Sequence, residues 1–194
     1  MRKESRYSRI VLPVLLSILL FSMPSAFANG KSYRKVLKES TRKARVYVWD
    51  NLEARVIWSA TWLSDDFRAA RREKLARLYR WTDKQQMKQE EEDRKESERF
   101  DLFFLSIYAG SSQWPEIGKN EGQWRIVLEV PSHEPAEAIR MDRVPVTVIE
   151  RILYPYLDRW SQAYIVRFPK TIRKGVPFHL LMAGLPAPSE LIWK

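Results

Sequence analysis

The chain contains no cysteine in its 194 residues. That excludes disulfides, thiolate catalysis, cysteine-ligated zinc or iron–sulfur centres, and a lipid-modified cysteine near the N-terminus. Its two histidines, His133 and His179, cannot build a three-histidine metal site. There is no G-x-S-x-G, no H-E-x-x-H, no P-loop and no dinucleotide fingerprint. No metal and no cofactor are therefore expected. Long apolar runs are also lacking. The one at Ile10 to Phe21 covers about a dozen residues, against the ~20 that cross a bilayer. What the chain does have is 45% hydrophobic and 12% aromatic residues, enough for a packed core. Its length suits one domain.

Residues 1–28 have the layout of a secretory signal peptide. Arg2, Lys3, Arg6 and Arg9 precede the apolar run, and Ser22, Pro24 and Ser25 follow it. Ala26 and Ala28 place small side chains where a signal peptidase needs them, which predicts cleavage after Ala28. No Arg-Arg pair precedes the run, which favours the general secretion route. The expected location is periplasmic or secreted, with residues 29–194 forming one domain.

Formal charge is +10, and loss of the leader's four bases and one acid leaves about +7. Outside the cytosol nucleic acid is not an expected partner. Such a charge points instead to an acidic envelope protein, an anionic envelope polymer, or peripheral contact with a membrane surface. The most basic stretch is Lys31 to Arg45, with seven cations and one acid, Glu39. It reads as a short helix or a loose arm with few apolar residues.

Strand signals come next. Val46 to Trp49, the turn pair Asp50-Asn51 and the alternating run Leu52 to Leu63 read as a hairpin. In that run Leu52, Ala54, Val56, Trp58, Ala60 and Trp62 share one face, with Ile57 the exception on the other. The period then changes. Ser64 is a candidate N-cap, with Asp65 and Asp66 in the first turn. Phe67, Leu75, Leu78 and Tyr79 cluster at helical spacing, with Arg68, Arg72, Lys74 and Arg80 largely off that side. Thr82 to Gln85 fits a capping box that opens a second helix to about Arg99. Met87 is that helix's only apolar residue, so it should stand in solvent or fray, helped by Glu90–Arg94 and Glu91–Lys95 pairs.

From Phe100 the strands return at Leu102 to Tyr108, Trp124 to Val130, Val144 to Ile152, Ala163 to Phe168, Phe178 to Met182 and Leu191 to Trp193. Ala109 to Gly122 and Pro131 to Glu137 read as loops. About eight short strands, with helices between only one successive pair, predict a mainly β fold with a helical insertion. The expected form is an antiparallel β-sandwich, immunoglobulin-like, with the charged hairpin 64–99 projecting from one end or edge.

Candidate sites are few. His133 lies in a proline-flanked loop beside Glu134, and His179 lies in a strand; neither has the companions of a metal site. The acids Glu90 to Asp93 are consecutive on a helix and point in different directions, a poor catalytic pair. Met87, Met141 and Met182 are scattered. Among the eight tryptophans, Trp114 and Trp160 lie in connections, where an exposed indole could stack on a sugar ring. Arg34, Lys35, Lys38 and Arg42 of the arm, with Arg68 and Arg72 of the first helix, could form one cationic surface. The expectation is a non-enzymatic binding or assembly module of a bacterial envelope. A tryptophan-based carbohydrate-binding module comes second. A hydrolase with an unrecognised carboxylate pair comes third.

Overall fold

The computed structural model describes residues 32–47, 54–109, 124–184 and 188–194. The proposed leader, the turn at Asp50-Asn51, Trp49 and Trp114 lie outside them. The chain divides into Met1–Gly30 and Lys31–Lys194, and every described residue belongs to the second unit. Its elements run α1 (Tyr33–Ser40), β1 (Thr41–Tyr47), β2 (Ala54–Trp62), α2 (Asp65–Tyr79), α3 (Asp83–Arg99), β3 (Phe100–Ala109), β4 (Trp124–Glu129), β5 (Ala136–Glu137), β6 (Arg140–Val144), α4 (Val148–Leu153), β7 (Gln162–Pro169), β8 (Phe178–Gly184) and β9 (Ser189–Trp193). The fold is mostly β, in two antiparallel sheets. One has the order β1-β2-β3-β7-β6 and the other β5-β4-β8-β9.

Period-two burial explains how the sheets share a core. Val56, Trp58 and Ala60 of β2 join Phe103, Leu105 and Ile107 of β3 and Val166 and Phe168 of β7. Ile126 and Leu128 of β4, Leu180 and Met182 of β8, and Leu191 and Trp193 of β9 complete the same cluster. With no disulfide, aromatic edges fill its centre. Phe103 meets Phe168, Phe178 and Trp193 edge-on, at ring centroid distances of 5.7, 6.0 and 5.6 Å.

The opposite face of the first sheet is buried as well. Leu102 and Phe104 of β3 and Ala163 of β7 pack with Phe67 and Leu75 of α2, Val36 of α1 and Leu153, Tyr154 and Leu157. Tyr154 stacks on Phe104 at 3.7 Å. Burial on both faces is why Leu102 to Tyr108 is almost unbroken apolar sequence rather than alternating. The helices therefore do not simply project. α2 covers the sheet, with α1 and α4 beside it.

Other expectations change in detail. Strand β1 begins at Thr41, inside the basic stretch, because an edge strand accommodates Lys43 and Arg45 pointing to solvent while pairing with β2. The arm also contributes Val36 to the core. Val144 to Ile152 is not a strand. Pro145 ends the ladder after β6, and Thr147 with Glu150 forms a capping box that opens α4. Its β-branched residues suggested a strand, and the Thr-x-x-Glu cap outweighs them. On α2 the apolar stripe stays buried only as far as Ala76. Leu78 and Tyr79 are exposed, and Arg68, expected off the stripe, is buried.

Helix α3 is formed over its expected length and does not stand free. Thr82 and Gln85 form the expected capping box. Charge holds the rest to its neighbours. Arg72 reaches Asp93 at 3.1 Å and Glu90 at 3.3 Å, Arg68 reaches Glu96 at 3.3 Å, and Arg167 of β7 takes the other oxygen of Glu96 at 3.1 Å. Glu91 pairs with Lys95 as expected, but Glu90 turns to Arg72, and Arg94 pairs instead with Glu91 and Glu98.

Candidate functional site

The proposed cationic residues divide into three groups. Arg68 and Arg72 belong to the framework. The Arg68 guanidinium is buried, donates from Nε to the Leu63 carbonyl at 2.8 Å and faces Asp93 and Glu96. Arg72 is committed to Glu90 and Asp93. Neither contributes free charge to the surface. Arg42 is a staple between β1 and β9. Its Nε donates to the Ile192 carbonyl at 2.8 Å, its Nη1 donates to the Glu39 and Thr41 carbonyls, and the guanidinium lies over the Trp193 ring at 5.6 Å. Arg34, Lys35 and Lys38 remain exposed on α1.

Helix α1 nevertheless meets α2, along a seam where Lys74 of α2 faces the arm. Lys74 of α2 lies over the Tyr33 ring at 4.1 Å and donates to the Ile152 carbonyl at 2.6 Å. Burial, and then the charge of Arg34, depress its pKa. Burial pushes the Tyr33 hydroxyl upward, then Tyr154 does the same, with Arg71 opposing. That hydroxyl donates to the Leu153 carbonyl at 2.7 Å, pinning α1 to the end of α4. Arg71 Nε is buried without a hydrogen-bond partner among the described residues. Lys74 thus lies against Tyr33, the chain neighbour of Arg34, at the α1–α2 junction. Arg71, Lys74 and Leu78 recur at helical spacing, which is the signal that could have drawn attention to them.

A cleft opens where α2 and β3 begin and β7 turns into β8. It encloses about 250 Å³ between Trp62, Asp65, Asp66, Phe100, Asp101 and Lys170. An adjoining hollow of about 170 Å³ shares Trp62, Ser64, Asp66 and Gly175 and extends to Arg173 and Trp193. Acids and bases line both. Asp101 is already satisfied. One oxygen takes Lys170 at 3.0 Å, and the other accepts from the Thr171 and Ile172 N–H groups at 2.6 and 2.7 Å. A buried acid in an otherwise apolar strand was the sequence signal for this anchor. Each hollow is smaller than the ~300 Å³ at which ordinary ligand pockets begin.

His133 is exposed in its loop, and His179 Nδ1 lies 3.4 Å from Glu190 across the β8–β9 pair. Among the described residues no three His, Asp or Glu side chains gather as a metal site would require. Trp160 is 70% exposed, on a loop closed by Asp158, whose carboxylate accepts from the Trp160 and Ser161 N–H groups at 2.8 and 2.7 Å. The Arg159 guanidinium lies 5.9 Å from its ring centroid. Trp58 and Trp193 are core residues, and Trp62 is half-buried against Phe178. No helix among the described residues is long and apolar enough to cross a membrane. No protein family matches the chain, and neither a curated protein nor a solved structure is significantly similar to it.

Proposed function

We propose that the protein is an exported, non-enzymatic binding or assembly module of a bacterial envelope, built on an immunoglobulin-like β-sandwich. Support for the scaffold comes from strand order. The order β2-β3-β7-β6 opposite β5-β4-β8-β9 follows the A-B-E-D and C′-C-F-G sheets of that architecture, with β1 added beside the first strand. Support for binding rests on one observation, the exposure of Arg34, Lys35 and Lys38 together on the short helix α1. Like charges held together destabilise the free protein and favour an anionic partner, either an acidic protein or an envelope polymer.

Two measurements test this reading. The N-terminus of the product recovered from cells is expected at Asn29, and a product that begins at Met1 overturns export. Affinity for sulfated dextran is expected to fall roughly tenfold in Arg34→Glu/Lys38→Glu and to decline with salt. Equal affinity of variant and native protein removes α1 as the binding surface. A second reading, a carbohydrate-binding module, is favoured by the exposure of Trp160. Glycan binding that survives Trp160→Ala rejects it.

A further inference from the structure

The seam borders an apolar surface that the framework leaves uncovered. Helix α2 carries Leu78 one turn beyond Lys74 on the same face, 44% exposed, followed by Tyr79 at 54%. Lys74 in turn touches α4 through the Ile152 carbonyl. There Ile152 and Val148, again one turn apart, are 37% and 69% exposed. At the bend after α2, Trp81 stacks on Tyr79 with nearly parallel rings, 6.2 Å between centroids. Exposed Arg80 at the bend and Arg151 on α4 stand beside these residues, and exposed Arg34 lies on neighbouring α1.

We infer that the face formed by the end of α2, the α2–α3 bend and α4 is a docking surface for an anionic phospholipid bilayer. The composition fits that occupant on three counts. Short apolar side chains project from two helices rather than lining a pocket, which suits shallow burial at the acyl boundary. A tyrosine and a tryptophan, each with one apolar end and one polar end, suit the headgroup level. The flanking arginines match anionic headgroups and can lie along the surface with their stems in contact with it. Lys74, bonded to the Ile152 carbonyl, ties the end of α2 to α4. Docking concerns the folded domain, so it rests on the export reading only for where the protein meets its membrane.

Vesicle co-sedimentation of the full chain tests the inference. Phosphatidylcholine vesicles with about one third phosphatidylglycerol should bind the protein at low salt, and phosphatidylcholine alone should bind it at least roughly tenfold more weakly. Val148→Asp/Leu78→Ser and Arg80→Glu/Arg151→Glu should each lose roughly tenfold in affinity, with unchanged circular dichroism. Lys43→Glu/Arg45→Glu makes the same charge change on β1, outside the three elements of this face, and should retain most of the binding. No binding to the anionic vesicles overturns the inference. So does equal loss in the β1 variant, which would mean net charge alone. Binding to neutral vesicles that survives both patch variants overturns it too, because an apolar leader would then be the anchor. None of these outcomes depends on where the N-terminus of the exported product falls.

Discussion

Arg68 shows how one side chain changes the role of a segment. Its guanidinium sits under α2, bonded to the Leu63 carbonyl and facing Asp93 and Glu96. A buried ion pair adds little net stability when intact, but removing one partner strands the other in a poor solvent. Arg68→Ala should therefore cost about 3 kcal/mol or more in urea unfolding. Arg94→Ala, which removes an exposed cation, should leave the midpoint almost unchanged. The tyrosines under the helices set a second dependence. Burial raises the Tyr154 pKa to about 12, and Tyr33 and Tyr156 also shift upward because they are buried. An unfolded tyrosine ionises near pH 10, so the unfolded state loses its proton first. Stability is complete below pH 10 and falls between pH 10 and about 12. Tyr154 alone accounts for about 3 kcal/mol of that loss. Alkaline titration followed by tyrosinate absorbance and circular dichroism should show unfolding and ionisation together, and Tyr154→Phe should flatten the dependence.

At the scale of elements, α3 is the instructive case. Its sequence contains a cap, a run of acids and bases, and almost nothing apolar, so it gains little from burial. The capping box starts it, and the pairs from Arg68, Arg72 and Arg167 hold it against α2 and β7. Thr82→Ala should cost about 1 kcal/mol. Hydrogen exchange should show α3 opening before the strands, and more readily at high salt, where its partly exposed pairs are screened. Equal protection of α3 and β3 in high salt would contradict that order. Helix α4 shows the reverse weighting. Val148, Ile149 and Ile152 favour a strand locally, yet Pro145 and the Thr147–Glu150 cap make a helix.

For the whole molecule, the two sheets share one cluster, so they should not unfold separately. Phe103 touches Phe168 of its own sheet and Phe178 and Trp193 of the other. Phe103→Ala should destabilise by about 3–5 kcal/mol, and tryptophan fluorescence and far-ultraviolet circular dichroism should still report one transition. Two separated transitions would mean that each sheet stands alone. Closure between β1 and β9 adds to this unity, with Arg42 bonded to the Ile192 carbonyl and the Trp193 indole donating to the Ser40 carbonyl at 3.0 Å.

Alternation in the sequence by itself determined most strands and their inward faces, because a half-buried sheet imposes period two on Val56, Trp58 and Ala60 or on Ile126 and Leu128. It likewise determined the two-helix insertion, since caps at Ser64 and Thr82 act within one turn of chain. Tertiary structure alone decided what the charges do. A sequence shows seven cations in an arm and several on a helix, but not that Arg68 turns inward to α3 or that Arg42 staples β1 to β9. It does not show that Lys74 sits between Tyr33 and the Ile152 carbonyl beside uncovered apolar residues. Charge acts through space over several ångströms, between residues whose separation along the chain carries no periodic signature.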